Sequence, residues 1–181
     1  RPKPVGPPEH GGSPSPSNKE APVVERDIVK LLLEHQADMI EFMFSHITID
    51  DISDPQLKKI VEFLLARFDD RGPRSIMEFL DEIDDPVSKG IVTDIVMSKY
   101  EISKGWESGD VEFQDVDPWR VARDAIVAMT KRKLHKQIEL NQRALKEASE
   151  RGADAQALMQ RHQELMRQVH DVDSGVIFKP T

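Results

Sequence analysis

The sequence predicts an all-α fold in which a small helical bundle is followed by a long helix and a C-terminal helical hairpin. Three observations support this prediction. From Val23 onwards, apolar residues recur at intervals of three and four, the spacing that forms one face of a helix. Aspartate-proline pairs occur at three points, and residues 119–151 contain neither glycine nor proline. Alternating patterns typical of strands are nearly absent.

The composition of the 181 residues excludes several classes of protein. No cysteine is present, which rules out disulfides, thiolate zinc sites and cysteine nucleophiles and is compatible with a reducing compartment. No apolar run approaches the ~18 residues of a membrane span, so we expect neither a span nor a signal peptide. Because the chain starts at Arg1 without an initiator methionine, we expect a piece of a longer, cytoplasmic protein.

Residues 1–22 are predicted to be a disordered linker. They hold seven of the twelve prolines and offer no apolar face, so nothing offsets the entropy lost on ordering. A proline-rich spacer of this kind lets two domains move independently. The alternative is a cloning remnant without a role.

Residues 23–130 are predicted to form the bundle. Three apolar stripes mark its first helices, and they comprise Val24, Ile28, Leu31 and Leu32; Met39, Ile40, Met43 and Phe44; and Leu57, Ile60, Val61, Leu64, Leu65 and Phe68. Helix starts are marked by Asp54-Pro55, Asp85-Pro86 and Asp117-Pro118, because each pair sets a capping carboxylate before a proline at the first helical position.

Two further segments complete the bundle. Ser75 and Glu78 have the spacing of a capping box, which predicts a short helix through Ile83. The helix that starts at Pro86 should run to about Tyr100. Residues 101–117 then form a long acidic loop whose two aromatic residues, Trp106 and Phe113, either cover the core or bind a peptide.

A helix over residues 118–151 would be about 51 Å long, whereas a bundle of ~100 residues has a radius of gyration near ~13 Å. Its distal part must therefore project. The apolar spacing breaks between Met129 and Leu134, where we expect the helix to change neighbours. The intervening residues 131–133 are all basic, and because three consecutive charges wrap around a helix, we expect a solvated surface there and no contact with nucleic acid.

Residues 131–172 are predicted to form the hairpin, with residues 173–181 as a disordered tail or a short docking strand. Gly152 suits a helix end and Asp154 a new cap, so the last helix should span residues 155 to about 170. The facing helix offers Ile138, Leu145 and Ala148. The apolar residues of the last helix form an arc that is too wide for these three to cover. A partner is expected to cover the remainder.

Charge follows the same division. Residues 21–117 carry ten basic and twenty-three acidic groups, while residues 118–181 carry twelve basic and eight acidic groups. The bundle is therefore acidic and the hairpin basic, and we expect the two parts to face different partners.

No catalytic or metal-binding pattern is present, so we expect no enzyme activity, metal or cofactor in this chain. The phosphate-binding, zinc, nucleophile-elbow and EF-hand motifs are all missing from the sequence. His135 and His162 lie on the two arms of the hairpin and leave open a histidine phosphotransfer function, although surface or interface histidines are the favoured interpretation.

One family resemblance accounts for the whole pattern. The run Val24-Glu25-Arg26-Asp27-Ile28-Val29-Lys30-Leu31-Leu32-Leu33-Glu34-His35, the segment Ser75-Ile76-Met77-Glu78-Phe79-Leu80, and the long helix with its hairpin resemble the C-terminal domain of bacterial replicative DNA primase, the DnaG family. The resemblance spans about residues 23–172. It implies a non-catalytic domain that docks a primase onto the hexameric replicative helicase, with the hairpin giving most of the affinity and the bundle modulating the helicase.

Carried onto this chain, the resemblance places helicase contacts on the hairpin, at Leu145, Leu158, Met159, Leu165, Met166 and Val169, with Arg161 and Arg167 as a charged rim. Some members of the family also bind the acidic tail of single-stranded DNA-binding protein on a basic patch of the bundle, a role that the acidic bundle argues against. We expect a monomer that touches neither membrane nor nucleic acid. The alternatives are the N-terminal domain of the helicase itself and a self-associating helical scaffold.

Overall fold

The computed structural model describes residues 21–98, 117–152 and 154–178, and in these residues it contains helices and no strand. The prediction of an all-α fold is thus confirmed. The linker was predicted over residues 1–22, but its last two residues belong to the first helix, which begins at Ala21. Residues 1–20 lie outside the described residues, as do Tyr100 and most of the acidic loop, with Trp106 and Phe113.

Helix α1 (Ala21–Phe44) is the central helix of the bundle. Its stretch Ile28–Leu33 is buried on every side. The two apolar stripes predicted here belong to this one helix, which is kinked at Gln36 with φ 29° and ψ −112°. The kink is fixed from outside, because the Arg74 backbone N–H donates to Gln36 Oε1 at 2.6 Å and Gln36 Nε2 donates to the Arg74 carbonyl.

Helices α2 (Pro55–Arg71), α3 (Ile76–Asp81) and α4 (Pro86–Met97) start where the capping residues predict. The Asp54 carboxylate accepts the backbone N–H groups of Gln56 and Leu57 at 2.8 and 3.1 Å. Ser75 forms the predicted capping box with Glu78. Helix α3 ends two residues before Ile83, whose own backbone N–H bonds the Leu80 carbonyl in a tighter last turn. A 3₁₀ helix (Ile49–Asp51) lies between α1 and α2.

Helix α5 (Pro118–Glu150) runs without interruption from the bundle into the hairpin. Asp117 caps its start by accepting the Trp119 backbone N–H at 3.0 Å. Helix α6 (Gln156–Asp173) packs back along α5. Gly152 lies between them with φ 64°, a left-handed conformation that suits a glycine at a helix end. The long helix and the hairpin are both confirmed.

Two separate apolar cores result. The main core is built from α1 to α4 and the first turns of α5, and Met129 is the last α5 residue in it. The second core lies between α5 and α6, and its buried residues are Leu134, Ile138, Leu165 and Val172. Beyond Asn141 no described residue of α5 is buried, so the tip of the hairpin is only two helices thick.

Candidate partner-binding surface on the hairpin

The hairpin leaves the bundle at three consecutive basic residues, each of which pairs with a different element. Arg132 Nη2 donates to Glu25 Oε1 of α1 at 2.7 Å and to the Asp51 carbonyl at 2.8 Å. Lys133 Nζ lies 2.8 Å from an Asp51 carboxylate oxygen, and Lys131 forms an ion pair with Asp173 at the end of α6. The three side chains remain partly exposed, as expected of a solvated surface, but the charges that wrap around α5 also meet acids on three sides.

Glu25, the partner of Arg132, is a carboxylate with no exposed surface. Its oxygens accept the Ser53 backbone N–H at 2.9 Å, the Ser53 hydroxyl at 2.6 Å and the Asp54 backbone N–H at 2.8 Å. Burial acts to raise the pKa of Glu25, but the hydrogen bonds from Ser53, Asp54 and Arg132 outweigh it and hold that pKa below its ordinary value. The ionised side chain therefore joins α1, the start of α2 and α5.

Within the hairpin, the inward side chains of the two helices follow a spacing of three and four. On α5 they are Leu134, Ile138, Asn141 and Leu145, and on α6 they are Leu158, His162, Leu165, Val169 and Val172. This is the seam of an antiparallel coiled coil. The hairpin thus encloses a narrow apolar stripe of its own.

The seam contains two polar side chains. Asn141 Nδ2 donates to the Leu158 carbonyl at 2.9 Å. Within the described part of the chain, the buried atoms Asn141 Oδ1 and His162 Nδ1 have no hydrogen-bond partner. An asparagine at such a position lowers stability but favours one register over others, so Asn141 is a register-setting residue.

The eight residues predicted to bind a partner separate into an inner and an outer group. Leu165 is 4% exposed and belongs to the hairpin core. Val169 is half-buried against that core, and Leu145 and Leu158 are also half-buried. Met159 and Met166 are 58% and 50% exposed, and the remaining two residues, Arg161 and Arg167, are also exposed. The accessible surface is therefore made by the methionines and arginines, and the inner group supports it from beneath.

Met159 and Met166 belong to a longer exposed stripe along α6, which we call the outer stripe. Its members are Gln156, Met159, Gln163, Met166 and His170. They are spaced by three and four, and none carries a permanent charge, although charged residues make up 32% of the chain. The spacing is that of a second coiled-coil seam, and the flexible methionines suit contact with another polypeptide.

The rim of the outer stripe is charged. Glu164 accepts from Arg167 Nε at 3.0 Å and Nη2 at 2.8 Å, and the Arg167 and Gln168 hydrogen bonds hold the pKa of Glu164 below its ordinary value. Arg167 is thus already paired on the surface. Arg161 has no ion-pair partner among the described residues and is the freer cation of the two.

Sequence reasoning missed two features of the hairpin, of which the first lies outside the outer stripe. Leu140, on the outer side of α5, is 55% exposed. The polar members of the outer stripe, Gln156, Gln163 and His170, were also missed, because a search for apolar residues passes over them. Their signal in the sequence is the absence of Lys, Arg, Asp and Glu at five positions in coiled-coil register.

Elsewhere, the bundle carries a charged cleft between α2 and α3. Three arginines, Arg67, Arg71 and Arg74, lie 3.2, 3.3 and 2.9 Å from the carboxylate of Glu82. Nearby, hydrogen bonds from Ser88, Val87 and Lys59 lower the pKa of Asp85 to about 2. These pairs join helices that are adjacent in the fold, so they act on its stability.

Among the residues that the structure describes, no group of three or more His, Asp and Glu side chains is arranged to hold a metal ion. In the same residues, no helix is both long and apolar enough to cross a membrane.

Comparison with known proteins returns one family. A family model described as "Domain of unknown function (DUF8430)" matches residues 13–173, which include the whole bundle and hairpin. No curated protein and no solved structure matches the chain.

Proposed function

We propose that this chain, which belongs to the DUF8430 family, is a non-catalytic interaction domain of a cytoplasmic bacterial DNA primase that docks the primase onto the hexameric replicative helicase. Primers would then be made where the helicase unwinds the duplex. The proposal combines the family resemblance of the sequence with the surface of the hairpin. The rest of the primase would be supplied by other domains of the parent protein.

The observation that carries the proposal is the outer stripe. Met159 is 58% exposed and Met166 is 50% exposed, although α6 is already packed against α5. Two exposed methionines in coiled-coil register, on a stripe without charged residues, suit a site that another polypeptide covers. The stripe runs along the exposed side of α6 from Gln156 to His170, where a large ring-shaped partner could reach it.

The bundle supports the proposal in a different way. Its helices are tied together by buried hydrogen bonds and ion pairs, such as Glu25 with Arg132, so it is a rigid base for the hairpin. A rigid base lowers the entropy cost of binding, because the hairpin is already ordered before it meets its partner. The bundle is also acidic, so its own contacts with the helicase would differ in kind from those of the hairpin.

Co-elution with the cognate replicative helicase tests the proposal. The chain alone should elute as a monomer and shift to the helicase fraction on mixing, as followed by gel filtration with light scattering. Met159→Glu combined with Met166→Glu should abolish the shift. Deleting residues 152–181 is a poorer test, because it would also expose Leu134 and Ile138.

The same experiment separates the alternative functions. A stable dimer that ignores the helicase would indicate a self-associating scaffold. Assembly of the chain into rings, with binding to a primase, would indicate the N-terminal domain of a helicase. Either result would contradict the proposal.

A further inference from the structure

The chain returns to the bundle after α6 ends. Gly175 has φ 68°, and its N–H donates to the Val172 carbonyl at 3.1 Å, which ends the helix. The next three residues, Val176–Phe178, form a 3₁₀ helix closed by a hydrogen bond of 3.2 Å from the Phe178 N–H to the Gly175 carbonyl. We call these three residues the C-terminal turn.

The C-terminal turn lies on an aromatic face of the bundle, formed by Phe42, His46 and Trp119. The Phe178 ring stacks on Phe42 with 6.2 Å between ring centroids and contacts His46 at 5.2 Å. Phe42 in turn meets Trp119 edge to face at 5.4 Å. These separations fall in the range of favourable aromatic pairs.

The face is held in place before the turn reaches it. His46 Nδ1 lies 2.9 Å from the Phe42 carbonyl and 2.8 Å from the Ser45 hydroxyl, so the imidazole is oriented by residues at the end of α1. Phe42 packs against the main core. The face therefore needs no contribution from the C-terminal turn to keep its shape.

Contact between the turn and the bundle is shallow, but it joins both cores. Ile177 packs against the main core and also against the hairpin core. No residue of the turn is buried, and Val176 is 42% exposed. A chain end held by so little buried surface opens locally at small cost in free energy.

We propose that the aromatic face is a binding site for the chain's own C-terminal turn, and that the docked turn straps the end of α6 to the bundle. The ligand is a short turn with an aliphatic residue followed by an aromatic one. Without it, the described contacts that hold the hairpin to the bundle are the continuous helix α5 and the ion pairs of Arg132 with Glu25 and of Lys133 with Asp51. Release of the turn would leave α5 and those ion pairs as the contacts that set the angle of the hairpin, so the hairpin would sample a wider range of angles around the direction that α5 gives it.

The first test measures the angle of the hairpin. Because the chain contains no cysteine, spin labels can be placed at Glu62→Cys on α2 and Gln160→Cys on α6, both exposed positions, and their separation followed by pulsed electron resonance. The parent chain should give one narrow distance distribution. Phe178→Ala and Phe42→Ala should each broaden it at least twofold, while Val176→Ala, at the exposed position of the same turn, should leave it unchanged.

An unchanged distribution in Phe178→Ala would overturn the strap. Far-ultraviolet circular dichroism of each variant shows whether the helices remain folded. Phe42→Ala could lose helix content because Phe42 packs against the main core. Phe178→Ala then decides whether the strap exists, because no residue of the C-terminal turn is buried and the change should leave the helices folded.

The second test measures the binding site directly. In a Trp106→Phe background Trp119 is the only indole, and its fluorescence reports on the aromatic face. A synthetic peptide of residues 174–181, added to the Phe178→Ala chain, should change that fluorescence in a saturable way. The tethered turn acts at an effective concentration in the millimolar range, so a Kd of about 1 mM or below is enough to keep it docked.

The matched control is the same peptide with Phe178→Ala, which should have no effect. In the spin-labelled Phe178→Ala chain, the bound peptide should not narrow the distance distribution, because the peptide is not covalently joined to α6. If the native peptide fails to change the fluorescence at several millimolar, the aromatic face is not a site for this turn and the proposal fails.

Discussion

The guanidinium of Arg132 lies 2.7 Å from the carboxylate of Glu25, a side chain with no exposed surface. The two residues are separated by more than one hundred positions in the chain, and each belongs to a helix that spans much of the molecule. Arg132 stands just after Met129, the last α5 residue of the main core. This ion pair therefore fixes the direction in which α5 leaves the bundle.

Replacing Arg132 with Met should lower the free energy of unfolding by about 2 kcal/mol. The change leaves the buried charge of Glu25 without its cationic partner, which destabilises a fold. Because Glu25 keeps three hydrogen-bond donors from Ser53 and Asp54, the loss of stability should be smaller than the largest values known for breaking a buried ion pair. Chemical denaturation followed by circular dichroism measures it. Lys136→Met, at an exposed position of the same helix, is the control and should change stability by less than about 0.5 kcal/mol.

The pH dependence of stability should report on the Glu25 carboxylate. Because its pKa is lower in the folded chain than the ordinary value near 4.5, ionised Glu25 stabilises the fold fully above that value, and the contribution is lost as the pH falls through the lowered pKa. Parent and Glu25→Gln should thus differ most near neutral pH and converge only as the pH falls below the lowered pKa of Glu25.

Glu62→Gln, which changes an exposed carboxylate on α2, serves as the matched control and should follow the parent curve throughout. Denaturant melts at a series of pH values supply the data. A gap between parent and Glu25→Gln that widens in acid would mean that the buried carboxyl is neutral in the folded chain.

Changing Asn141 to Leu should stabilise the hairpin by about 1 kcal/mol and weaken its register. The side chain is buried, and its Oδ1 atom has no hydrogen-bond partner in the described residues, so an apolar side chain of similar size removes an unsatisfied group. The hydrogen bond to the Leu158 carbonyl, which fixes α6 along α5, is lost at the same time. Thermal melts and amide hydrogen exchange of α6 test the two effects, and a drop in melting temperature would refute the first.

Leu165 should act through the fold of the hairpin. Its side chain fills the small core with Leu134 and Ile138, so Leu165→Ala should cost about 3 kcal/mol of local stability. Hydrogen exchange should show faster exchange throughout α6 with little change in α1 or α2. Equal protection of α6 in the variant and the parent would mean that Leu165 does not support the hairpin.

The helices could be predicted from the sequence because their signals are local. Asp54, Ser75 and Asp85 stand directly before their helices, and each accepts backbone N–H groups no more than three residues further along the chain. The apolar spacing of α5 and α6 follows from helix geometry alone. Which face of the hairpin is buried was not predicted, because Leu165 and Met166 are neighbours in sequence and only the position of α5 decides which one is buried.

Long-range pairings were missed for the same reason. Arg132 belongs to a run of basic residues that looks solvated until α1 brings Glu25 beside it. Gln36 has no local signal for a left-handed conformation, since the Arg74 backbone that fixes it lies 38 positions away. The contact of Phe178 with Phe42 depends on α6 returning the chain to the bundle, which the sequence left undecided.

The central claim is that the outer stripe of α6 is covered by the replicative helicase, and calorimetric titration of the helicase with the purified chain tests it most directly. Met159→Glu with Met166→Glu should weaken binding at least 100-fold, since each introduces a charge into a buried apolar contact. Leu140→Glu, on the outer side of α5, should bind like the parent. Equal affinity of the parent and the doubly substituted chain would contradict the account.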